Sequence, residues 1–137
     1  MSKSKGKTKS VGYQFGIRKT FTVNLEDAWE FMFSKKGLNI WLGDNQSEQF
    51  DLNTKYKTIN GIEGTVRVFK IHSHVRMSYN KPEWENSSTL QIRFIPLKNK
   101  TTISFHLEKI KDSEQRVEVE KEWKFVITKL KNAFDEL

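Results

Sequence analysis

Apolar residues recur at two different periods along this chain, and the change of period divides it. Over residues 112–137 the spacing is three and four, through Val119, Trp123, Val126, Ile127, Leu130, Ala133, Phe134 and Leu137. Those positions form one broad stripe on a helix, wider than a coiled-coil seam. Asp112 suits the N-cap, and Gln115, three residues on, suits the far end of a capping box. Glu118, Lys121, Glu122, Lys124, Lys129 and Lys131 lie mostly off the stripe, and no Gly or Pro interrupts it. A helix of about 25 residues is roughly 37 Å long. Such an element needs a large apolar surface to lie on.

The preceding hundred residues look like a sheet that supplies it. Tyr13, Phe15, Ile17, Phe21 and Val23 are apolar, while Gln14, Arg18, Thr20 and Thr22 are polar, which is the period of a half-buried strand. Asn24, with Asp27 at N3, predicts the cap of a short helix whose Leu25, Ala28, Trp29, Phe31, Met32 and Phe33 are apolar almost all round. Lys35-Lys36-Gly37 predicts its break, and Leu38, Ile40, Trp41 and Leu42 predict a second short helix ending at Gly43. Short strands are then expected near residues 47–50, 56–59, 64–71, 74–79, 89–96 and 101–110. Asn60-Gly61 reads as a two-residue hairpin turn. Neither βαβ alternation nor an internal repeat is present, so the sheet is expected to be an antiparallel meander in an α+β fold.

Composition narrows the function classes. The 137 residues contain ten Phe, four Trp and three Tyr but no Cys, which removes disulfides, cysteine nucleophiles and thiolate metal sites together. No apolar run approaches the roughly 18 residues of a membrane span, and no apolar stretch follows the early lysines as a signal peptide would require. A cytoplasmic, monomeric protein without membrane insertion is the expectation. Lys3, Lys5, Lys7 and Lys9 supply more than half of the net charge of +7. Residues 1–10 carry no apolar anchor and read as a disordered basic tail, a solvated terminus rather than a specific nucleic-acid contact.

Catalytic signatures are missing: the sequence contains no GxGxxG, P-loop or HExxH. His72 and His74 fall where a hairpin turn is expected, and His106 points away from the core by its alternation. Three converging ligands are therefore not expected, and no metal or cofactor is. Glu114, Glu118 and Glu122 at spacing four read as a solvated helix face. Arg67, Arg76 and Arg93 lie on strands, where exposed cross-strand pairing is the expected role. Nothing pairs a nucleophile with a base.

The order of these elements resembles the helix-grip fold of START-like (SRPBCC, birch-pollen-allergen-like) domains. More narrowly, the chain resembles bacterial members of the family homologous to the C-terminal domain of the heat-shock-protein-90 ATPase activator. Residues 22–33 with Ala28-Trp29, then Gly37-Leu38-Asn39-Ile40-Trp41-Leu42, are similar to that family's first strand, paired helices and exit. Gly64-Thr65-Val66 and Ser87-Ser88-Thr89-Leu90 are similar to its middle strands. Thr101-Thr102-Ile103-Ser104-Phe105-His106-Leu107 resembles a later strand, and Trp123 with Leu130 its closing helix. Glu122 departs from the Gly that many relatives carry before the Trp.

The resemblance implies a single START-like domain over residues 11–137. It implies a curved sheet of about six to seven strands wrapped around the long C-terminal helix, with two short helices after the first strand. It further implies a cavity between sheet and helix for a hydrophobic small molecule. The expected lining is Met32, Trp41, Val66, Val68, Met77, Tyr79, Ile92, Phe94, Phe105, Trp123, Ile127 and Leu130. A plainer reading is that these residues only fill a core. Non-catalytic binding of a lipid-like or polycyclic molecule is the first functional expectation. The alternatives are a protein-interaction module acting on a chaperone or other protein partner in a stress response, and an enzyme of the polyketide cyclase/aromatase type.

Overall fold

Among the described residues the chain forms ten elements, several of them bounded by a local cap or turn. The structure, a computed structural model, describes residues 7–8, 12–44 and 50–137. Strand β1 (Lys7–Thr8) precedes β2 (Gly12–Phe21), followed by α1 (Leu25–Met32), α2 (Lys35–Trp41), β3 (Lys55–Lys57), β4 (Glu63–Lys70), β5 (His74–Tyr79), β6 (Ser88–Leu97), β7 (Lys100–Ile110) and α3 (Ser113–Asp135). The seven strands form one antiparallel sheet in the order β1-β2-β7-β6-β5-β4-β3. This is the helix-grip arrangement, with the sheet curved around α3. Within the stretch expected to be a tail, Lys7 and Thr8 pair with Tyr13 and Gly12 as an edge strand.

Caps behave largely as the residues suggest. Asn24 Oδ1 accepts the Asp27 N–H at 2.9 Å, and Asn24 Nδ2 donates to Asp27 Oδ2 at 3.1 Å, so the first helix starts on a reciprocal pair. Asp112 Oδ1 accepts the Gln115 N–H at 2.8 Å. Gln115 Oε1 reaches one residue past the cap and accepts from the Lys111 N–H at 2.9 Å. Along α3 the stripe residues Val119, Trp123, Ile127, Leu130, Ala133 and Phe134 are buried. Val126 is half-buried, and Leu137, beyond the helix, is exposed.

Two breaks lie elsewhere than expected. Lys35-Lys36-Gly37 does not end α1; it is the first turn of α2. Ser34 caps it, with Oγ accepting the Gly37 N–H at 3.1 Å and donating to the Phe31 carbonyl at 2.6 Å. Gly37 is there because a Cβ would lie 1.9 Å from the Phe31 carbonyl oxygen, so only glycine lets the two helices approach. The Asn60-Gly61 hairpin has three loop residues, not two. Thr58 N–H bonds to Ile62 O at 2.8 Å and Gly61 N–H to Thr58 O at 3.0 Å. Gly61 takes the left-handed backbone, φ 92°, as three-residue loops require at their last position. Of the strand expected over 47–50, residues 47–49 lie outside the described residues, and Phe50 is buried but not in a strand.

β-Bulges change which side chains face inward. Between β4 and β5, Val66 pairs with Met77 but Val68 pairs with Arg76, so one extra residue sits in β4. Beyond the bulge, Phe69 opposite Val75 takes the inward position. A second shift lies between Tyr13 and Phe15 of β2. There Lys109 adopts φ 65°, which lets Leu107 and Ile110, three apart, both turn inward and become buried.

Candidate ligand site

The sheet's inner face and α3 enclose the residues expected to line a cavity, and the fold sorts them into three groups. At the α1–α2 end, Trp41 and Phe94 belong to an aromatic cluster. Phe94 lies 4.8 Å from Trp29, and Phe33 lies 6.0 Å from Trp41 and 5.4 Å from Phe69. Trp41 is fixed by its indole N–H, which donates to the Met32 carbonyl at 2.8 Å. In the middle, Met32, Val66, Met77 and Ile92 are fully buried. Beneath α3, the Trp123 ring lies 4.9 Å from Phe105 and 6.4 Å from Tyr79, with Ile127 and Leu130 buried beside it.

Eleven of the expected residues are therefore interior, and Val68 is not. Alternation from Val66 predicts Val68 inside, but the bulge reverses the parity, and Val68 shares the outer face with Arg76. Phe69 replaces it, half-buried against Trp29, Phe33 and Phe50. The open grooves lie elsewhere. One of about 530 Å³ is lined by Lys55, Thr65, Arg67 and Ser78 among others, and one of about 270 Å³ by Asp27, Glu30, Phe31, Ser34 and Leu137.

α3 is held down at both ends by different chemistry. Near its C-terminus Phe134 lies 4.7 Å from Phe21 and 5.0 Å from Phe31. Near its N-terminus Arg116 Nε donates to the Gln14 carbonyl at 2.8 Å. On the β5–β6 side, Lys81 is only 7% exposed, and its ammonium donates to Glu118 and, at 2.6 Å, to Glu122 Oε2. Burial works against that charge, but the hydrogen bonds to Glu118 and Glu122 outweigh it and hold the Lys81 pKa above the ordinary lysine value. Glu118 and Glu122 thus stay partly solvated, as their spacing suggests, but also hold a buried ammonium that the spacing does not announce. Lys81 carries no signal of its own in the sequence, since its partners lie on α3 and only folding brings them together.

Two buried polar atoms at the same end lack partners. Trp84 packs in the core with its indole Nε1–H unpaired, and Asn80 Oδ1 is also unpaired among the described residues. Tyr79 ends β5 there, and burial first, then Glu122, Glu118 and Glu83, push its phenol pKa up. Each histidine has a different neighbour. His72 packs edge-on to Trp29, His74 Nδ1 lies 2.9 Å from Ser73 Oγ, and His106 Nε2 lies 2.7 Å from Gln14 Oε1. Among the described residues no three His, Asp or Glu side chains converge as metal ligands would. No helix among them is long and apolar enough to cross a membrane. The arrangement offers an apolar, aromatic-rich interior with a few polar groups at one end.

Comparison with known proteins gives one family and one shared fold. The family model described as activator of Hsp90 ATPase homolog 1-like protein matches residues 22–135. No curated protein sequence matches the chain. Crystalline CalU16 from Micromonospora echinospora superposes with a TM-score of 0.76 at 13% identity, covering 88% of this chain and 74% of that one. The Aha1 dimer from Colwellia psychrerythraea gives 0.73 at 14% identity, covering 88% and 95%. PFC0360w, an HSP90 activator from Plasmodium falciparum, gives 0.63 at 19% identity, covering 72% and 74%. Likeness at these identities establishes the shared fold and nothing finer.

Proposed function

The chain belongs to the family of activator of Hsp90 ATPase homolog 1-like proteins, and from that premise we propose that it binds a lipid-like or polycyclic molecule between sheet and α3 without turning it over. The observation that carries this reading is the buried Trp84 indole N–H, which has no hydrogen-bond partner among the described residues. A core that only fills space pairs its buried donors, and an unpaired one costs about 1–3 kcal/mol. A carbonyl or hydroxyl on an otherwise apolar ligand recovers that cost. Met32 and Met77, fully buried, repack more readily than branched side chains around an incoming shape. Affinity comes mostly from apolar area, about 25 cal/mol per Å², so discrimination among apolar ligands is weak. Tyr79, with its pKa raised by burial, stays protonated at neutral pH and is a poor general base.

Native mass spectrometry of the protein from its own cells, followed by NMR titration with fatty acids, sterol-like and flavonoid-like compounds, tests this. Retained small molecules and shifts at Met32, Met77, Trp84 and Trp123 are expected. Shifts confined to the outer sheet face would remove the proposal. A second reading, a module that docks on a chaperone, is favoured by Phe125, which is 62% exposed on α3. Binding of purified Hsp90 that Phe125→Ser abolishes would support that reading instead.

A further inference from the structure

The outer face of the sheet carries a cross-strand row containing three cations that the interior site does not use. Cross-strand pairing runs Arg18 to Ser104, Ser104 to Arg93, Arg93 to His74 and His74 to Lys70. Directly opposed residues share a face, so these five side chains form one rung across β2, β7, β6, β5 and β4. Four strand spacings of about 4.8 Å make the rung roughly 19 Å long. Arg18, Arg93 and Lys70 are exposed, and no carboxylate among the described residues pairs with any of them. The neighbouring rung behaves differently. Its Arg76 donates to Gln91 at 3.2 Å and to Glu108 at 2.5 Å and is thereby neutralised. Cross-strand pairing, the role expected for the strand arginines, thus holds for Arg76 and fails for Arg93.

We infer that this rung binds the phosphate backbone of a nucleic acid, independently of base sequence. Three features select that occupant. Among the described residues the outward strand positions carry no Phe, Tyr or Trp, so the face lacks the aromatic centre that anchors a protein partner. It equally lacks the stacking platform of a base-reading sheet. Recognition falls to charge alone, which favours a polyelectrolyte whose counterions are released on binding. Hydroxyl and imidazole groups between the cations, Ser104 and His74, suit phosphate oxygens, as backbone-positioning contacts do. The face curves outward around α3, so a strand can follow it where a flat bilayer touches it only locally. A groove of about 450 Å³, lined by Arg18, Thr20, Thr102 and Ile95 among others, runs beside the row over β2, β7 and β6. His74 also reports the local field: burial first, then Arg93 and Lys70, hold its pKa below the usual histidine range.

Fluorescence anisotropy of the full chain with a labelled mixed-sequence oligonucleotide of about twenty nucleotides tests the inference. Three phosphate contacts on a single strand predict a log–log salt slope contribution of about −2, or a roughly fifteenfold loss between about 50 and 200 mM salt. The triple variant Arg18→Gln/Lys70→Gln/Arg93→Gln, checked by its thermal transition, should lose at least about tenfold in affinity and make the slope shallower by about 2. A variant with Lys3, Lys5, Lys7 and Lys9 changed to Gln should retain most of the rung-dependent difference. If the triple variant does not fold, Arg93→Glu alone should still weaken binding more than the tail variant does. The inference is overturned if wild type fails to bind at low salt, or if the tail variant alone abolishes binding. Tighter binding to poly-glutamate or to phosphatidylserine vesicles than to the oligonucleotide would also overturn it.

Discussion

Lys81 Nζ lies 2.6 Å from Glu122 Oε2, joining the loop after β5 to the middle of α3 across 41 residues of sequence. The lysine side chain is 8% exposed, whereas those of Glu118 and Glu122 remain 37% and 46% exposed. The charge that needs its partners is therefore the lysine. Glu122 is one of the two carboxylates hydrogen-bonded to this buried ammonium, and Glu83 Oε1 lies 3.9 Å away as a third.

Replacing Lys81 by Ala leaves two carboxylates facing each other at a partly wet site. The usual cost of breaking a fully buried pair is about 3–5 kcal/mol. Solvent reaching both glutamates reduces the expectation here to about 1–3 kcal/mol. Urea denaturation measures it, and adding Glu118→Gln and Glu122→Gln to Lys81→Ala should recover part of the loss. A loss below about half a kcal/mol would mean that the pair is ornamental.

Alkaline pH should destabilise the fold through three groups. Burial raises the pKa of Tyr56 above 10.0, with Tyr79 and Glu63 adding to it, and burial likewise raises that of Tyr79. Lys81 is raised above 10.5. Above these ordinary values the unfolded chain releases protons that the folded chain keeps, so stability falls as pH rises. Little change is expected at neutral pH, and a progressive loss from pH 10.0 upward. Tyr56→Phe should flatten the curve while costing about 1 kcal/mol at neutral pH, because the Tyr56 hydroxyl donates to the Ser78 carbonyl at 2.6 Å. An equally steep decline in that variant would exclude Tyr56 as a contributor.

Two glycines should respond oppositely to alanine. At Gly37 the new methyl would sit 1.9 Å from the Phe31 oxygen, which forces α1 and α2 apart. A loss of about 3 kcal/mol or more is expected, at the upper end for overpacking. At Gly16 the nearest atoms are 3.6 and 3.7 Å away. There alanine should be neutral or stabilise by up to about 1 kcal/mol, since it restricts the unfolded chain. Thermal melts of the two variants give the comparison.

The β4 bulge is checked by a pair of substitutions. Val68→Lys, half-buried on the outer face where the lysine head can reach water, should cost no more than about 1 kcal/mol. Phe69→Ala should cost about 2–4 kcal/mol, slightly less than a fully buried Phe because the ring is half-buried. The reverse order of effects would place Val68 inside and remove the bulge.

Trp123→Ala should cost about 3–5 kcal/mol, since its ring spans from α3 to Phe105 and Tyr79. A well-folded variant with wild-type stability would show that α3 does not depend on that contact.

Period and caps by themselves determined most of the architecture. The stripe from Val119 to Phe134 places α3 on the sheet, Asn24 and Asp112 start their helices, and alternation sets the inner faces of β5, β6 and the first part of β7. These are local properties: a side chain's face follows from its position in a regular element. What the tertiary structure decided lies where one residue depends on another far along the chain. Arg67 is inserted against β5, so Val68 goes out and Phe69 in, because pairing with the neighbouring strand, not propensity, fixes register. Gly37 reads as a breaker because glycine after two lysines is a common helix end. Its actual constraint is a carbonyl on another helix. Glu118 and Glu122 read as solvated because their spacing says only that they share a face. What that face meets, a buried ammonium from the loop after β5, depends on the folded chain, because the Coulomb and hydrogen-bond terms act through space and leave no periodic trace in sequence.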